Sequence, residues 1–127
     1  MREISTENAP ASIGPYSQAI EANGFLFVSG QGAAEPETRE VVSNEIGEQT
    51  EQVFENISAI LETVGAPIDD VVKATVFLTG MDNYDIVNKI YAEYLNEPFP
   101  ARSAVQVSDL PIDIGVEIEV IAVAPEE

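Results

Sequence analysis

The chain has 127 residues, of which 45% are hydrophobic and 22% are charged, and it contains no Cys, His or Trp. This length is typical of one domain with its own core, so we expect a single domain over residues 1–127. Without Cys and His, disulfides, thiol nucleophiles, Ser-His-Asp triads and the commonest transition-metal ligands are excluded. Any chemistry must therefore use carboxylates, Arg or Lys, hydroxyls, amides and backbone groups.

The charge is strongly acidic, with 23 Asp and Glu against 5 Lys and Arg and a formal net charge of −18. Such a field repels phosphate backbones and anionic lipid surfaces, so we expect neither a nucleic acid nor a membrane as partner. The ordinary hydrophobic content argues against a disordered acidic chain. We interpret the acids as a solvated shell and hypothesise a halophilic protein, because concentrated salt screens the self-repulsion.

Targeting signals are missing from the sequence. No apolar run approaches the roughly 18 residues of a membrane span. The first ten residues, MREISTENAP, contain no apolar signal core. We therefore expect a cytoplasmic protein.

The first elements form a predicted hairpin. Residues 1–15 contain Pro10 and Pro15 and are expected to be an extended lead-in. Asn23-Gly24 separates the strand-like runs 17–22 and 25–30, and this dipeptide favours a type I′ turn. A polar loop over 31–39 follows, with a short strand possible at Val41-Val42.

Helices and strands then alternate. Helical spacing of apolar residues predicts helices over 45–64 and 83–95, and β-branched runs predict strands over 71–78, 101–107 and 116–123. Ser43 or Asn44 is expected to cap the first helix, and Gly65 to end it. This order predicts an α+β two-layer domain with both helices on one sheet face. The other face still carries Phe, Val and Ile, so we expect a homo-oligomer to cover it.

Two charged positions are candidates for chemistry. Arg102 is a cation within the apolar segment 99–105; it is either a structural ion pair or a fork for a small carboxylate. Glu117 and Glu119 share one strand face, which is either a solvated edge or a carboxylate at a cleft that orients water. If strands 101–107 and 116–123 form a hairpin, Arg102 and Glu117 could lie on one face, but the intervening register is not readable.

Four other residues have open interpretations. Asn88 lies beside the apolar stripe of the second helix and needs a hydrogen-bond partner in the protein or in a ligand. Ser29 and Gly30 end a strand, where Gly permits close backbone approach or a simple bulge. Tyr16 is either a core aromatic or a hydroxyl donor, and the spacing does not decide between them.

Five separated motifs in order resemble the reactive intermediate deaminase (RidA/YjgF) family over nearly the whole chain. They are Asn8-Ala9-Pro10 with Ile13–Gln18; Val28–Gln31; Val71–Leu78; the Asn88 segment Val87–Tyr91; and Pro100–Val107 with Leu110-Pro111 and Val116–Val123. The resemblance implies a chorismate-mutase-like fold, with two helices on one face of a mixed sheet. It also implies a homotrimer with a central barrel and clefts between neighbouring subunits.

The resemblance further implies hydrolysis of 2-imino acids, such as 2-iminobutanoate and 2-iminopropanoate, to 2-oxo acids and ammonia without cofactor or metal. Arg102 would bind the substrate carboxylate, and Glu117 would polarise water. The Gly30 and Ala104 backbones and the side chains of Tyr16, Ser29 and Asn88 would complete the cleft. Many members carry Cys where this chain has Ala104, so a thiol-dependent switch is not expected here. The alternatives are a ligand-binding or protein-regulating member without catalysis and, least compatible with the charge, an RNA-acting protein.

Overall fold

The computed structural model describes residues 1–126. These residues form one six-stranded sheet and one layer of helices. The strands are β1 (Arg2–Ile4), β2 (Ala19–Ala22), β3 (Phe25–Gln31), β4 (Val71–Leu78), β5 (Ala101–Gln106) and β6 (Val116–Val123), and the helices are α1 (Ile46–Glu62) and α2 (Tyr84–Tyr94). The α+β prediction is confirmed, and the predicted elements lie within a few residues of the observed ones. Among the described residues, no helix has the length and apolar composition that crossing a membrane would require.

Local signals explain the hairpin and the end of α1. Asn23 and Gly24 both have positive φ, 52° and 82°, as a type I′ turn requires. After α1, Gly65 has a φ of 76°, and the Ala66 N–H donates to the Leu61 carbonyl at 3.0 Å. The hairpin and the glycine stop were both predicted, because each depends on residues adjacent in sequence.

Three local expectations differ from the structure. Residues 2–4 of the expected lead-in form strand β1, which pairs with β2, because tertiary pairing outweighs a weak local signal. Val41 makes only an isolated bridge to Ala34 instead of a strand. The residue before α1 is Glu45, which makes no side-chain cap; the Ser43 hydroxyl accepts from its N–H at 3.0 Å, outside the helix.

The sheet order is β1-β2-β3-β6-β4-β5, and only the β4–β5 pair is parallel. The conditional hairpin of the last two strands is therefore wrong, because β4 lies between β5 and β6. The crossover through α2 carries β5 to the outer edge of β4. Residues 107–115 then return across the end of β4, a step of about 10 Å between alternate strands.

The helices cover one face of this sheet. Alternate residues of β4 and β6, such as Val76 and Ile118, are buried and belong to one core cluster with α1 side chains including Phe54 and Ile57. The opposite face, here called the open face, carries Phe25, Phe27, Val105 and Val123, each 41–44% exposed. The predicted two-layer packing with one uncovered apolar face is thus observed.

Candidate functional site

Arg102 lies on β5 with its side chain on the helix side of the sheet, facing α2. Its Nη1 donates to Asn88 Oδ1 at 2.7 Å and its Nη2 donates to the Tyr84 hydroxyl at 2.9 Å. The guanidinium carbon lies 4.8 Å from the Tyr91 ring centroid and 5.5 Å from that of Tyr84, within cation–π range. Tyr84, Asn88 and Tyr91 follow one another at intervals of about one turn along α2, so they lie on the same helix face and contact the same guanidinium.

This arrangement leaves the guanidinium without a carboxylate partner. Within residues 1–126 the structure contains an Arg2–Glu21 ion pair, and Arg102 forms none. Two of the five N–H donors of the guanidinium are held by neutral oxygens, and the others remain free to bind a ligand. A cavity of about 270 Å³ opens beside Arg102, lined by Asn88, Tyr91, Ala92, Phe99 and Pro100. The arrangement can therefore bind a small anion.

Glu117 lines a second, larger cavity of about 570 Å³ at the end of the open face. Tyr16, Ser29 and Gly30 share its wall, together with Ile112 and other apolar side chains. The structure therefore brings four of the sequence-predicted site residues together.

The cavity requires a glycine at position 30, because a side chain there would occupy the space of the Glu117 carboxylate. The pairing of β3 with β6 shifts register between Val28 and Gln31, a bulge that moves Gly30 out of the regular ladder. A Cβ atom at Gly30 would overlap the Glu117 carboxylate. The absent side chain therefore provides the space in which that carboxylate lies.

The environment of Glu117 favours its protonated form. Partial burial raises the pKa of Glu117 above its usual value, and the neighbouring negative charge of Glu119 raises it further. A carboxylate with a raised pKa is a stronger base once it is ionised. Glu117 can therefore accept a proton from a water molecule.

Tyr16 and Ser29 are both engaged locally. Tyr16 is 53% exposed and its hydroxyl accepts from the Ile13 N–H at 3.2 Å, so it is not a core aromatic. The Ser29 hydroxyl donates to the Ser17 carbonyl at 2.6 Å. Its proton is committed to the protein, while its oxygen can still accept a hydrogen bond.

Buried amide side chains hold the loops around the Glu117 cavity. Gln18 donates to the Pro10 carbonyl at 2.8 Å, and its Oε1 accepts from the Thr6 N–H at 2.7 Å. Asn56 donates to the carbonyls of Gly32 and Ala34 at 3.2 and 3.0 Å. These contacts fix the lead-in and the loop after β3 as two walls of the cavity.

A third amide holds the chain before β6. Gln49 Oε1 accepts from the Gly115 N–H at 2.8 Å, and its Nε2 donates to the Ser43 carbonyl at 2.8 Å. The roles of Gln18, Gln49 and Asn56 were not predicted from the sequence. For Gln49 and Asn56, a polar residue within the apolar stripe of α1 is a detectable signal of buried hydrogen bonding.

The Arg102 and Glu117 groups are separate within one chain. Arg102 pairs with Ala74 and Glu117 with Phe77 on β4. Side chains alternate between the two faces of a strand, so these two residues project from opposite faces of the sheet. Ala104 pairs with Val76 on the same face as Arg102 and packs against the core.

The structure therefore defines a two-layer fold with the Arg102 guanidinium beside a small cavity on one sheet face and the Glu117 carboxylate in a larger cavity on the other. Residues 6–124 match the family model described as Endoribonuclease L-PSP. A RutC family protein of Pyrococcus horikoshii is 55% identical over 94% of each chain. The chloroplastic Reactive Intermediate Deaminase A of Arabidopsis thaliana is 49% identical over 94% of this chain and 64% of that protein.

The fold agrees with these matches. The crystal structure of RidA from an Antarctic Psychrobacter superposes with a TM-score of 0.93 at 44% identity, covering 97% of this chain and 99% of that one. The chain belongs to the RidA/YjgF family, as its motifs predicted.

Proposed function

We propose that the protein hydrolyses reactive 2-imino acids, such as 2-iminobutanoate and 2-iminopropanoate, to 2-oxo acids and ammonia. Such imines arise from pyridoxal-phosphate enzymes and damage them, so the activity would be protective. The deaminase name of the Arabidopsis relative supports this reaction class. The observation that carries the proposal is Arg102, which has no acidic partner in residues 1–126 and borders a cavity in a chain with 23 acids.

Arg102 would bind the substrate carboxylate. A guanidinium forms two parallel hydrogen bonds with a carboxylate, which fixes the orientation of the imine carbon as well as its position. Asn88 and Tyr84 hold the guanidinium plane by their hydrogen bonds. Binding would then need little rearrangement of the side chain.

Glu117 would act as the base. It removes a proton from a water molecule while the water oxygen forms a bond to the imine carbon, and the C=N electron pair moves to nitrogen. The proton is then delivered to that nitrogen, which gives a carbinolamine. Glu117 next takes the carbinolamine hydroxyl proton and passes it to the amino nitrogen, so that the C=O bond forms as the C–N bond breaks and ammonia leaves. The substrate is inherently reactive, so orientation of the reactants can supply about 7–11 kcal/mol of the barrier reduction.

The complete site would form between subunits. Arg102 and Glu117 project from opposite sheet faces, so one chain cannot bring both to one small molecule. A neighbouring copy that packs against the open face and the free edge of β5 would supply the missing group and cover Phe25, Phe27 and Val105. We propose the homotrimer with a central barrel that the family resemblance implies.

The endoribonuclease description of the family model names another activity. With 5 basic residues against 23 acidic ones, this chain opposes a phosphate backbone electrostatically. We therefore propose imine hydrolysis and no RNA cleavage.

Arg102→Ala tests the proposal in a coupled assay, where a threonine dehydratase generates the imine and 2-oxobutanoate release is followed. We expect kcat/KM to fall about 100-fold or more, because two charge-assisted hydrogen bonds are lost. Arg102→Lys should fall about 10-fold, since an ammonium keeps the charge but not the fork. Lys89→Ala removes an exposed cation of the same helix layer and serves as the control.

Two outcomes would reject the proposal. The first is wild-type protein that does not accelerate 2-oxobutanoate release, and the second is an Arg102→Ala variant as active as wild type. Saturable binding of 2-oxobutanoate without turnover would favour the alternative, a ligand-binding member of the family without catalysis. Light scattering on each variant checks that the oligomer is intact.

A further inference from the structure

Arg39 occupies an unusual backbone position beside the Glu117 cavity. Its φ is 62°, in the left-handed region that side-chain-bearing residues seldom adopt. Asn23 is the one other non-glycine residue in residues 1–126 with positive φ, and it lies in a hairpin turn where Asn is favoured. A long charged side chain has no such preference, so the position needs a functional explanation.

The loop that carries Arg39 is well determined by hydrogen bonds. The Arg39 N–H donates to the Glu35 carbonyl at 2.8 Å, and the Glu35 N–H donates to the Glu40 carbonyl at 2.9 Å. The bridge between Ala34 and Val41 closes the base of this loop. Asn56 in turn ties Ala34 to α1. The Arg39 backbone is therefore held in place relative to the cavity.

Arg39 lines the cavity that Glu117, Tyr16 and Gly30 also line. No Asp or Glu of residues 1–126 forms an ion pair with it, although Glu37 and Glu40 are close in sequence. Its guanidinium charge is therefore not neutralised by direct contact. The cavity volume of about 570 Å³ also exceeds what a three- or four-carbon acid needs, since pockets of roughly 300–1,000 Å³ accept drug-sized ligands.

We propose that Arg39 is a specificity-determining residue that binds a second, distal carboxylate, so that the site accepts dicarboxylic 2-imino and 2-oxo acids. The inference rests on the proposed function, because it assigns the α-carboxylate to Arg102 and the reacting carbon to Glu117. The substrate chain would then run along the cavity from the reacting carbon towards Arg39. A guanidinium suits this task, since it binds a carboxylate through two hydrogen bonds.

A purely electrostatic role is the competing explanation. Arg39 also borders a neighbouring cavity lined by Glu3, Glu7 and Glu37, where its charge would reduce repulsion without touching a ligand. Such a role would depend on charge alone, so Arg39→Lys would retain it in full and added salt would screen it. A direct contact needs the fork of the guanidinium, so Arg39→Lys would then reduce the preference for a distal carboxylate.

The test measures binding of 2-oxoglutarate and of 5-methyl-2-oxohexanoate, in which an isopropyl group replaces the distal carboxylate, by titration calorimetry. Wild-type protein should prefer 2-oxoglutarate. Arg39→Ala should reduce the ratio of the two affinities about tenfold or more, and Arg39→Lys should reduce it less. Arg2→Ala, which removes a cation of the edge strand β1 that does not line the Glu117 cavity, should leave the ratio as in wild type.

Equal affinity for both acids in wild type, or a ratio that survives Arg39→Ala, would overturn the inference. The inference would also be overturned if the wild-type protein bound neither acid. The proposed function is tested separately, since it predicts that Arg102→Ala weakens both acids equally and abolishes imine turnover. Turnover without a dicarboxylate preference would reject only the role of Arg39.

Discussion

At the scale of single residues, the site depends on two charged groups that form no ion pair within residues 1–126. Arg102 is held by an amide, a phenol and two aromatic rings, and no carboxylate contacts it in residues 1–126. Glu117 lies against Gly30 in a cavity with apolar side chains, and the nearest charge that acts on it is that of Glu119, of the same sign. An unpaired charge in a partly desolvated position interacts strongly with any ligand of opposite charge. This explains why a small anion could be bound by so few residues.

The pH dependence of the proposed reaction follows from the raised pKa of Glu117. Glu117 must be ionised to act as base, so kcat/KM should rise with pH through that raised pKa. Glu119→Gln removes the negative charge that adds to the effect of burial on the pKa of Glu117, so the rising limb should move to lower pH. Glu93→Gln, on the exposed surface of α2, removes the same charge elsewhere and should not move it. If kcat/KM of Glu119→Gln rises over the same pH range as in wild type, this electrostatic assignment is contradicted.

At the scale of elements, α1 both completes the core and holds the cavity walls. Its apolar stripe packs on the sheet, while Gln49 and Asn56, 3% and 0% exposed, reach out to loops far away in sequence. A buried amide stabilises a loop only if its hydrogen bonds are complete, because an unpaired buried group is costly. The helix therefore determines where Gly32, Ala34 and Gly115 lie.

Asn56→Ala should destabilise the fold by about 2–3 kcal/mol, because it leaves two buried carbonyls without donors. Urea denaturation measures this loss, and hydrogen exchange should show faster opening of residues 32–34. Gln52→Ala is the matched control on the same helix, since Gln52 is only half-buried and donates one hydrogen bond to Asn56. Equal losses in the two variants would show that Asn56 has no special role in holding the loop.

At the scale of the whole molecule, the net charge and the open face are the main influences on stability and association. The net charge of −18 is spread over only 127 residues, so self-repulsion opposes the compact state. The open face leaves Phe25, Phe27 and Val123 in contact with solvent in one chain. Association would bury this apolar surface, and salt would reduce the repulsion between the associating copies.

The melting temperature should therefore rise with KCl, by about 5 °C or more between dilute buffer and molar salt. Glu48, Glu51 and Glu55 lie together around a groove beside Tyr94. Replacing all three by Gln should raise the melting temperature in dilute buffer and flatten its dependence on salt. A wild-type melting temperature that is constant or falls with KCl would end the halophilic hypothesis.

The sequence alone predicted both helices, five of the six strands and the family. Turn chemistry at Asn23-Gly24, the glycine after α1 and the periodicity of β4 and β6 are local properties, so neighbouring residues suffice to reveal them. The motifs around Arg102 and Glu117 identified the candidate residues before any contact was known. Strand β1 was not predicted, because its pairing partner, β2, lies beyond residues that carry no regular pattern.

Only the tertiary structure decided which residues meet. Strand order is a non-local property, and the insertion of β4 between β5 and β6 placed Arg102 and Glu117 on opposite faces. The hydrogen bonds of the buried amides and the backbone conformation of Arg39 likewise depend on contacts between segments that are distant in sequence. Residue pattern determines local conformation through sterics and hydrophobic periodicity, whereas the composition of a cavity depends on contacts between distant segments that share no local signal.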